Sequence, residues 1–208
     1  MLDRMIIQFD KTLRTICPKW PQQSSYSHPD QHIVSSRLSA VESHQSQAMM
    51  RVNLAGEVAA QGLYRGQLLV ARNPELKEKL AEAAEQEFEH YMWCLQRLKE
   101  LNASPSLFNP LWYMGALSIG LLAAIWSDTV SLGFIIATEE QVGMHLASHL
   151  LQLPADDKKS IAIVWQMYVD ELQHAQDAEH FGGVRLPMLL QMMMHGMAQV
   201  MINCSRLV

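Results

Sequence analysis

The sequence predicts an all-α protein, and three observations carry that expectation. Long proline-free stretches repeat their apolar residues at steps of three or four, the spacing of one helix face. No β-branched run alternates apolar and polar residues with the period of two that a half-buried strand requires. Apolar residues make up 49% of the 208 positions and charged residues only 18%, which is enough to fill a full core in one domain.

Composition also excludes several functions. A net charge of −5 leaves no overall basic field for nucleic acid. Cys17, Cys94 and Cys204 are odd in number and widely separated, so neither a disulfide framework nor a Cys-x-x-Cys zinc site is expected. In MLDRMIIQFDKTLRTICPKW, Asp3, Arg4, Asp10, Lys11 and Arg14 interrupt the apolar residues, so no signal-peptide core forms. The chain reads as one made in the cytosol that stays on that side. Residues 1–35 read as an extension and loop, and residues 36–208 as the domain.

The elements follow in order. Residues 38–71 place Val41, Met49, Val52, Ala55, Ala59, Leu63 and Leu69 at helical spacing, and Asn73-Pro74 ends that helix. Residues 75–101, rich in Glu, Lys, Ala and Leu, form a second helix. Pro110 fits the first turn of a third. Between Glu100 and Asp128 lie 27 residues without one charge, including LWYMGALSIGLLAAIW. This stretch is a transmembrane candidate by length; the rival is a buried or half-inserted helix of a bundle. Residues 129–151 form a fourth helix, closed by Pro154. Residues 155–180 form a fifth, with Asp156 and Asp157 expected in its first turn, where the helix dipole favours anions, and with Gly182-Gly183 as its stop. The sixth follows Pro187 and is rich in Met. It suits an interface, core packing or a seam between copies of the chain.

With charges so scarce, their placement is informative. Glu57, Glu139 and Glu171 each sit beside an apolar run, where an unpaired carboxylate is costly. Two Glu-x-x-His motifs occur, Glu87 to His90 and Glu171 to His174. At i, i+3 both side chains share one helix face, so one metal ion can take a carboxylate oxygen and an imidazole nitrogen. Such a motif alone arises readily by chance; the order is what decides. Glu57 precedes Glu87 by 30 positions, and Glu139 precedes Glu171 by 32. Two antiparallel helix pairs of that length bring all six side chains to mid-height of one four-helix bundle. That is the arrangement of ferritin-like dinuclear carboxylate sites. Four carboxylates and two imidazoles suit iron or manganese better than structural zinc. The spacing favours Glu139 over Glu140, which can face solvent. Asp170 is a candidate outer acceptor for the Nδ1–H of a ligand histidine. His145 and His149 share a face one turn apart, and could meet substrate or simply pack.

The segments RVNLAGEVAAQGLYRGQ, EQEFEHYMWCLQRLKEL, NPLWYMGALSIG, SLGFIIATEEQVGMHLASHL and the DELQHA run with GGVRLP resemble the demethoxyubiquinone hydroxylase family of ubiquinone biosynthesis. The resemblance runs from about residue 48 to the end. It implies a ferritin-like bundle with two iron ions held by Glu57, Glu87, His90, Glu139, Glu171 and His174, the same six reached from spacing. It also implies peripheral attachment to the membrane, here on the cytoplasmic face of a cell membrane. The implied reaction is hydroxylation of the ring of a polyprenylated methoxy-methyl benzoquinol with O₂, the penultimate step to ubiquinol, with other ubiquinone-biosynthesis proteins as candidate partners. The family usually carries His where this chain has Leu54, so any role of that His is in doubt here.

O₂ does not insert into a ring carbon unaided, so a redox metal must carry that chemistry. The chain has no GxGxxG fingerprint, so the resetting electrons come from outside it. A polyprenyl tail explains the apolar stretches at 101–127 and 188–201, which can dip into a bilayer surface without crossing it. Two other readings compete: a ferritin-like iron-storage or ferroxidase protein, and a non-catalytic membrane-associated helical binding protein.

Overall fold

The computed structural model describes residues 10, 12–15 and 28–207. Six long helices follow one another: α1 (Ala40–Val70), α2 (Pro74–Glu100), α3 (Asn109–Trp126), α4 (Asp128–Gln152), α5 (Lys158–His180) and α6 (Met188–Leu207). Among the described residues no strand is present.

Local chemistry sets the helix ends. Ser39 caps α1 in a capping box with Glu42. Asn73 caps α2 by accepting from the Glu75 and Leu76 amides, with Pro74 at the first helical position. Asp157, like Asp156, does not lie in the first turn of α5, where the sequence suggested both. It caps the helix, accepting from the Ser160 amide at 3.1 Å, so α5 begins at Lys158. The same oxygen of Asp157 accepts from Arg97 Nη2 at 2.7 Å, and Arg97 Nε donates to Ser160 Oγ. This buried network fixes the α4–α5 connection against α2. At the other end of α5, Gly182 adopts φ 91°, a left-handed turn that costs glycine nothing.

Helices α1 and α2 form one antiparallel pair and α4 and α5 the other, and the pairs pack through α1 on α4 and α2 on α5. Gln67 Nε2 donates to Ser131 O near one end and Gln45 Nε2 to Gln152 O near the other, so α1 and α4 run antiparallel along their length. Helix α3 is the long crossover that the ferritin-like topology needs between the pairs. It lies against α1 at backbone contact. A Cβ on Gly62 would meet Tyr113 O at 2.3 Å, one on Gly66 would meet Leu117 O at 2.2 Å, and one on Gly120 would meet Leu63 O at 2.1 Å. Three glycines therefore let the two helices approach more closely than side chains permit. Enclosed by its neighbours, α1 is buried almost continuously from Val52 to Gln67. Its two ends overhang the core, so Val41 and Leu69, which the periodicity put on the apolar stripe, are exposed.

Helices α3 and α6 flank the α1–α4 side. Trp112 Nε1 donates to Ser205 Oγ, and Arg51 Nη1 donates to Arg206 O, which tie α6 to α3 and α1. Of α6 only Ile202 and Ser205 are buried, so its Met run is not part of this chain's core. The 18 residues of α3 are long and apolar enough to cross a membrane by length and composition, yet one face is occupied by α1. The described part of the extension packs on the bundle rather than apart from it. Thr12 Oγ1 bonds Tyr113 OH at 2.8 Å, Tyr91 OH donates to Arg14 O, and the His28 ring stands edge-on to Trp93. Cys94 is buried and Cys204 half-buried, both as free thiols; Cys17 lies outside the described residues.

Candidate metal centre

Four helices each deliver ligand-type side chains to one level of the bundle. Glu57 comes from α1, Glu87 and His90 from α2, Glu139 from α4, and Glu171 and His174 from α5. All six are buried. They form two overlapping groups: Glu57, Glu87, His90 and Glu171, and Glu87, Glu139, Glu171 and His174. Within each group the candidate ligand atoms lie within 4.8 Å of one another. Glu87 and Glu171 belong to both groups. Glu57 with His90, and Glu139 with His174, stand at the two ends.

Each imidazole presents Nδ1 to the centre. His90 Nδ1 lies 3.3 Å from Glu87 and 3.4 Å from Glu171; His174 Nδ1 lies 2.8 Å from Glu87 and 3.6 Å from Glu171. The outer nitrogens are held elsewhere. His90 Nε2 meets Asp170 at 3.0 Å, and His174 Nε2 meets Gln86 at 2.8 Å. The sequence had Asp170 serving an Nδ1–H; here the nitrogens are reversed, because Nδ1 must point inward for a carboxylate and an imidazole at i, i+3 to converge. Asp170 precedes Glu171, and Gln86 precedes Glu87. Each Glu-x-x-His helix thus supplies, one residue before its glutamate, the acceptor that orients the histidine of the other helix.

Sequence reasoning missed Gln86 and Tyr64. The signal for Gln86 was its matching place beside the second motif, where Asp170 had already drawn notice. Tyr64 gave no such signal. It lies two turns after Glu57 on α1, but its hydroxyl donates to Glu139 across the bundle at 2.7 Å. The two adjacent glutamates of α4 separate cleanly: Glu140 pairs with Arg185 at 2.8 Å on the surface, away from the centre. Leu54 is wholly buried among Met50, Val58, Cys94 and their neighbours, so an apolar contact fills the place of the expected histidine. His145 and His149 lie side by side, ring centroids 4.0 Å apart and planes tilted by 58°, beyond the six-residue cluster.

Electrostatics mark the cluster as one built for cations. Burial, and then the neighbouring Glu87 and Glu171, push Glu57 well above the usual carboxylate range. Glu139 is raised in the same way, by burial and then by Glu171 and Glu87. Burial also works against ionised Glu87, but the two imidazoles outweigh it and hold Glu87 low. His174 is raised to about 11: burial opposes its charge, and Glu87 with its neighbours overcomes that. His90 is raised too, against burial, by Asp170, Glu171 and Glu87. Apart from their close approaches to one another, Glu57 Oε2, both Glu87 oxygens, Glu171 Oε2 and both inward Nδ1 atoms have no hydrogen-bond partner. Buried polar atoms are otherwise almost always satisfied, so this donor set fits a pair of hard, oxygen-preferring divalent ions.

A ferritin-like bundle holding a doubled carboxylate–histidine cluster defines the class, a helical protein with a candidate dinuclear metal centre. The family described as Ubiquinone biosynthesis protein COQ7 matches residues 44–205, and the chain belongs to that family. The chain is 48% identical over 205 residues to a 3-demethoxyubiquinol 3-hydroxylase of Chromobacterium violaceum, covering 99% of this chain and 98% of the relative. It is 45% identical over 204 residues to the protein of that name from Francisella tularensis subsp. novicida, and 44% to that from Legionella pneumophila. Each of these alignments covers 98% of this chain and 96% of the relative.

Proposed function

We propose that this chain is an O₂-dependent hydroxylase of the ring of a polyprenylated methoxy-methyl benzoquinol, demethoxyubiquinol, with two ferrous ions per chain as its cofactor. The observation that carries the reading is the doubled cluster, in which Glu87 and Glu171 are shared between two four-residue groups. Near-full-length similarity to hydroxylases of this name supports the substrate.

Glu57 and His90 would hold one ion, Glu139 and His174 the other, and Glu87 and Glu171 would bridge them. Bound iron supplies the electrons and the oxygen chemistry that side chains lack. The protein contributes placement. Asp170 and Gln86 fix the outer ring nitrogens, so both Nδ1 lone pairs aim inward. Tyr64 holds one oxygen of Glu139. Leu54, Met50, Trp93 and Cys94 keep water from the Glu57–His90 side, where the low dielectric strengthens every charge interaction. The resetting electrons come from an external donor.

The tail of such a substrate remains in lipid, and we place the protein peripherally on the cytoplasmic face of the membrane. Supporting this, α3 exposes Leu111, Leu122 and Trp126, and α6 exposes Met188, Leu189 and Met192. Exposed apolar surface of that extent calls for a partner. Because α1 occupies the other face of α3, the helix lies on the membrane rather than through it. Residues 36–208 form the catalytic domain in this reading, with residues 1–35 as its extension.

The test is anaerobic reconstitution with ferrous iron, then O₂ and demethoxyubiquinol, with the product mass read. A product heavier by one oxygen is expected. Glu139→Gln should cost at least 100-fold in turnover, since it removes a ligand charge at the reacting centre, and Glu140→Gln should cost less than threefold. Iron oxidation without quinol product would favour the storage reading. Absence of stoichiometric iron would favour the binding protein.

A further inference from the structure

One cavity of about 490 Å³ opens at the end of the bundle where α1 and α5 finish and α2 and α4 begin. Its size lies within the roughly 300–1,000 Å³ common to small-molecule sites. The buried Tyr64 and His174 line it with the exposed Gln86 beside them; Leu80, Leu132 and Ile135 give it an apolar side; Lys79, Glu82 and Asp177 give it a charged rim. His174 belongs to the centre itself, and Tyr64 and Gln86 touch the centre from outside. Tyr64 bonds Glu139, and Gln86 bonds His174.

Among the described residues the other half is backed mainly by apolar core, with Asp170 at the outer nitrogen of His90. His90 lies with its ring 5.1 Å from that of Trp93, and the surrounding Met50, Leu54 and Cys94 are buried in a continuous apolar cluster. Glu57 and His90 are 2% and 1% exposed. The pseudo-symmetry of the ligands is therefore broken by what lies behind them. One end backs onto core and the other onto a cavity, with only Tyr64 and the Gln86–His174 pair between.

We infer that the two halves of the centre are functionally inequivalent, and that this cavity is the port through which the quinol ring reaches the ion held by Glu139 and His174. The inference rests on the hydroxylase reading for the identity of the ring; the port itself does not. The geometry suits an amphipathic ring with a long tail. Apolar residues face the ring plane, and the rim offers donors and acceptors for its oxygen substituents. The same end of the molecule carries the exposed Ile125 and Trp126 of α3 and Met188 and Leu189 of α6, where a tail would meet lipid. Tyr64 acts in this arrangement as a positioning residue, holding Glu139 while forming the last wall of the port.

The test uses protein loaded with two cobalt ions, whose visible spectrum reports each site, and azide as a small probe of open coordination. Azide should shift the bands of one cobalt ion only. Ala83→Trp, at a half-exposed position on the cavity wall, should slow azide binding at least tenfold while leaving metal stoichiometry and melting unchanged. Ala83→Leu should slow it by about threefold, and serves if the larger variant does not fold. Iron-loaded Ala83→Trp should lose quinol kcat/KM in parallel. Unchanged azide binding in both variants, or equal shifts at both cobalt ions, would overturn the inference. Blocked azide binding together with a wild type that does not hydroxylate the quinol would uphold the port and refute the hydroxylase reading instead.

Discussion

Loading the centre with metal should expel protons, and the structure sets how many. In the metal-free cluster His90 and His174 hold protons because carboxylates surround them, and Glu57 and Glu139 hold protons because burial and neighbouring carboxylates penalise their charge. Metal ligation needs neutral imidazole and ionised carboxylate. Up to four protons must leave, matching the four positive charges that two divalent ions bring. The exchange conserves charge in a site too buried to tolerate an imbalance. We expect about two to four protons released per ion pair near pH 7, and apparent affinity for the pair that rises with pH accordingly. Glu57→Gln should lower the count by about one. The assay is calorimetric titration of metal-free protein with Mn²⁺ or Co²⁺ in buffers of different ionisation enthalpy, whose slope is the proton number. Release of fewer than one proton per pair would refute the argument, because the six groups would then already hold their ligand protonation states.

Two further outcomes test the scaffold. Gly120→Ala should destabilise by about 1–3 kcal/mol in urea, although alanine by itself favours a helix by about 1 kcal/mol, because the new Cβ meets Leu63 O at 2.1 Å; Gly115→Ala, with nothing within 4 Å, should stabilise. His149 is pushed down to about 3 by burial, then by His145 and Arg206. A folded value below the unfolded one means that its contribution is intact above the unfolded pKa and is lost as pH falls through it towards the folded value. His149→Leu should therefore gain about 2 kcal/mol relative to wild type between pH 7.5 and 5 in urea titrations, and no change would show that imidazole to be solvated.

Much of this protein was legible without coordinates. Helix periodicity and proline placement located α1 to α6 within a few residues, because those signals act over one or two turns. The six candidate ligands were legible for a different reason. Charge is so sparse that a repeated Glu, Glu-x-x-His order stands out, and helix geometry at i, i+3 converts that order into a common face. Asp157 was misplaced because a cap and a first-turn residue share the same preference for anions, and only its bonds to Ser160 and Arg97 separate the two. Spacing favoured Glu139 over its neighbour Glu140, and the rotation of α4 against α1 is what turns Glu139 inward. Tyr64 could not be found from sequence, since its partner is 75 positions away and no short-range rule links a tyrosine on one helix to a glutamate on another. The sequence by itself determined the helices and the inventory of candidate metal ligands, both products of local geometry. Tertiary structure alone decided that α3 docks on α1 through bare glycine backbone, that each motif braces the other's histidine, and that one half of the centre opens to a cavity. Those outcomes depend on how whole helices pack, and packing sums contacts between residues that the chain holds far apart.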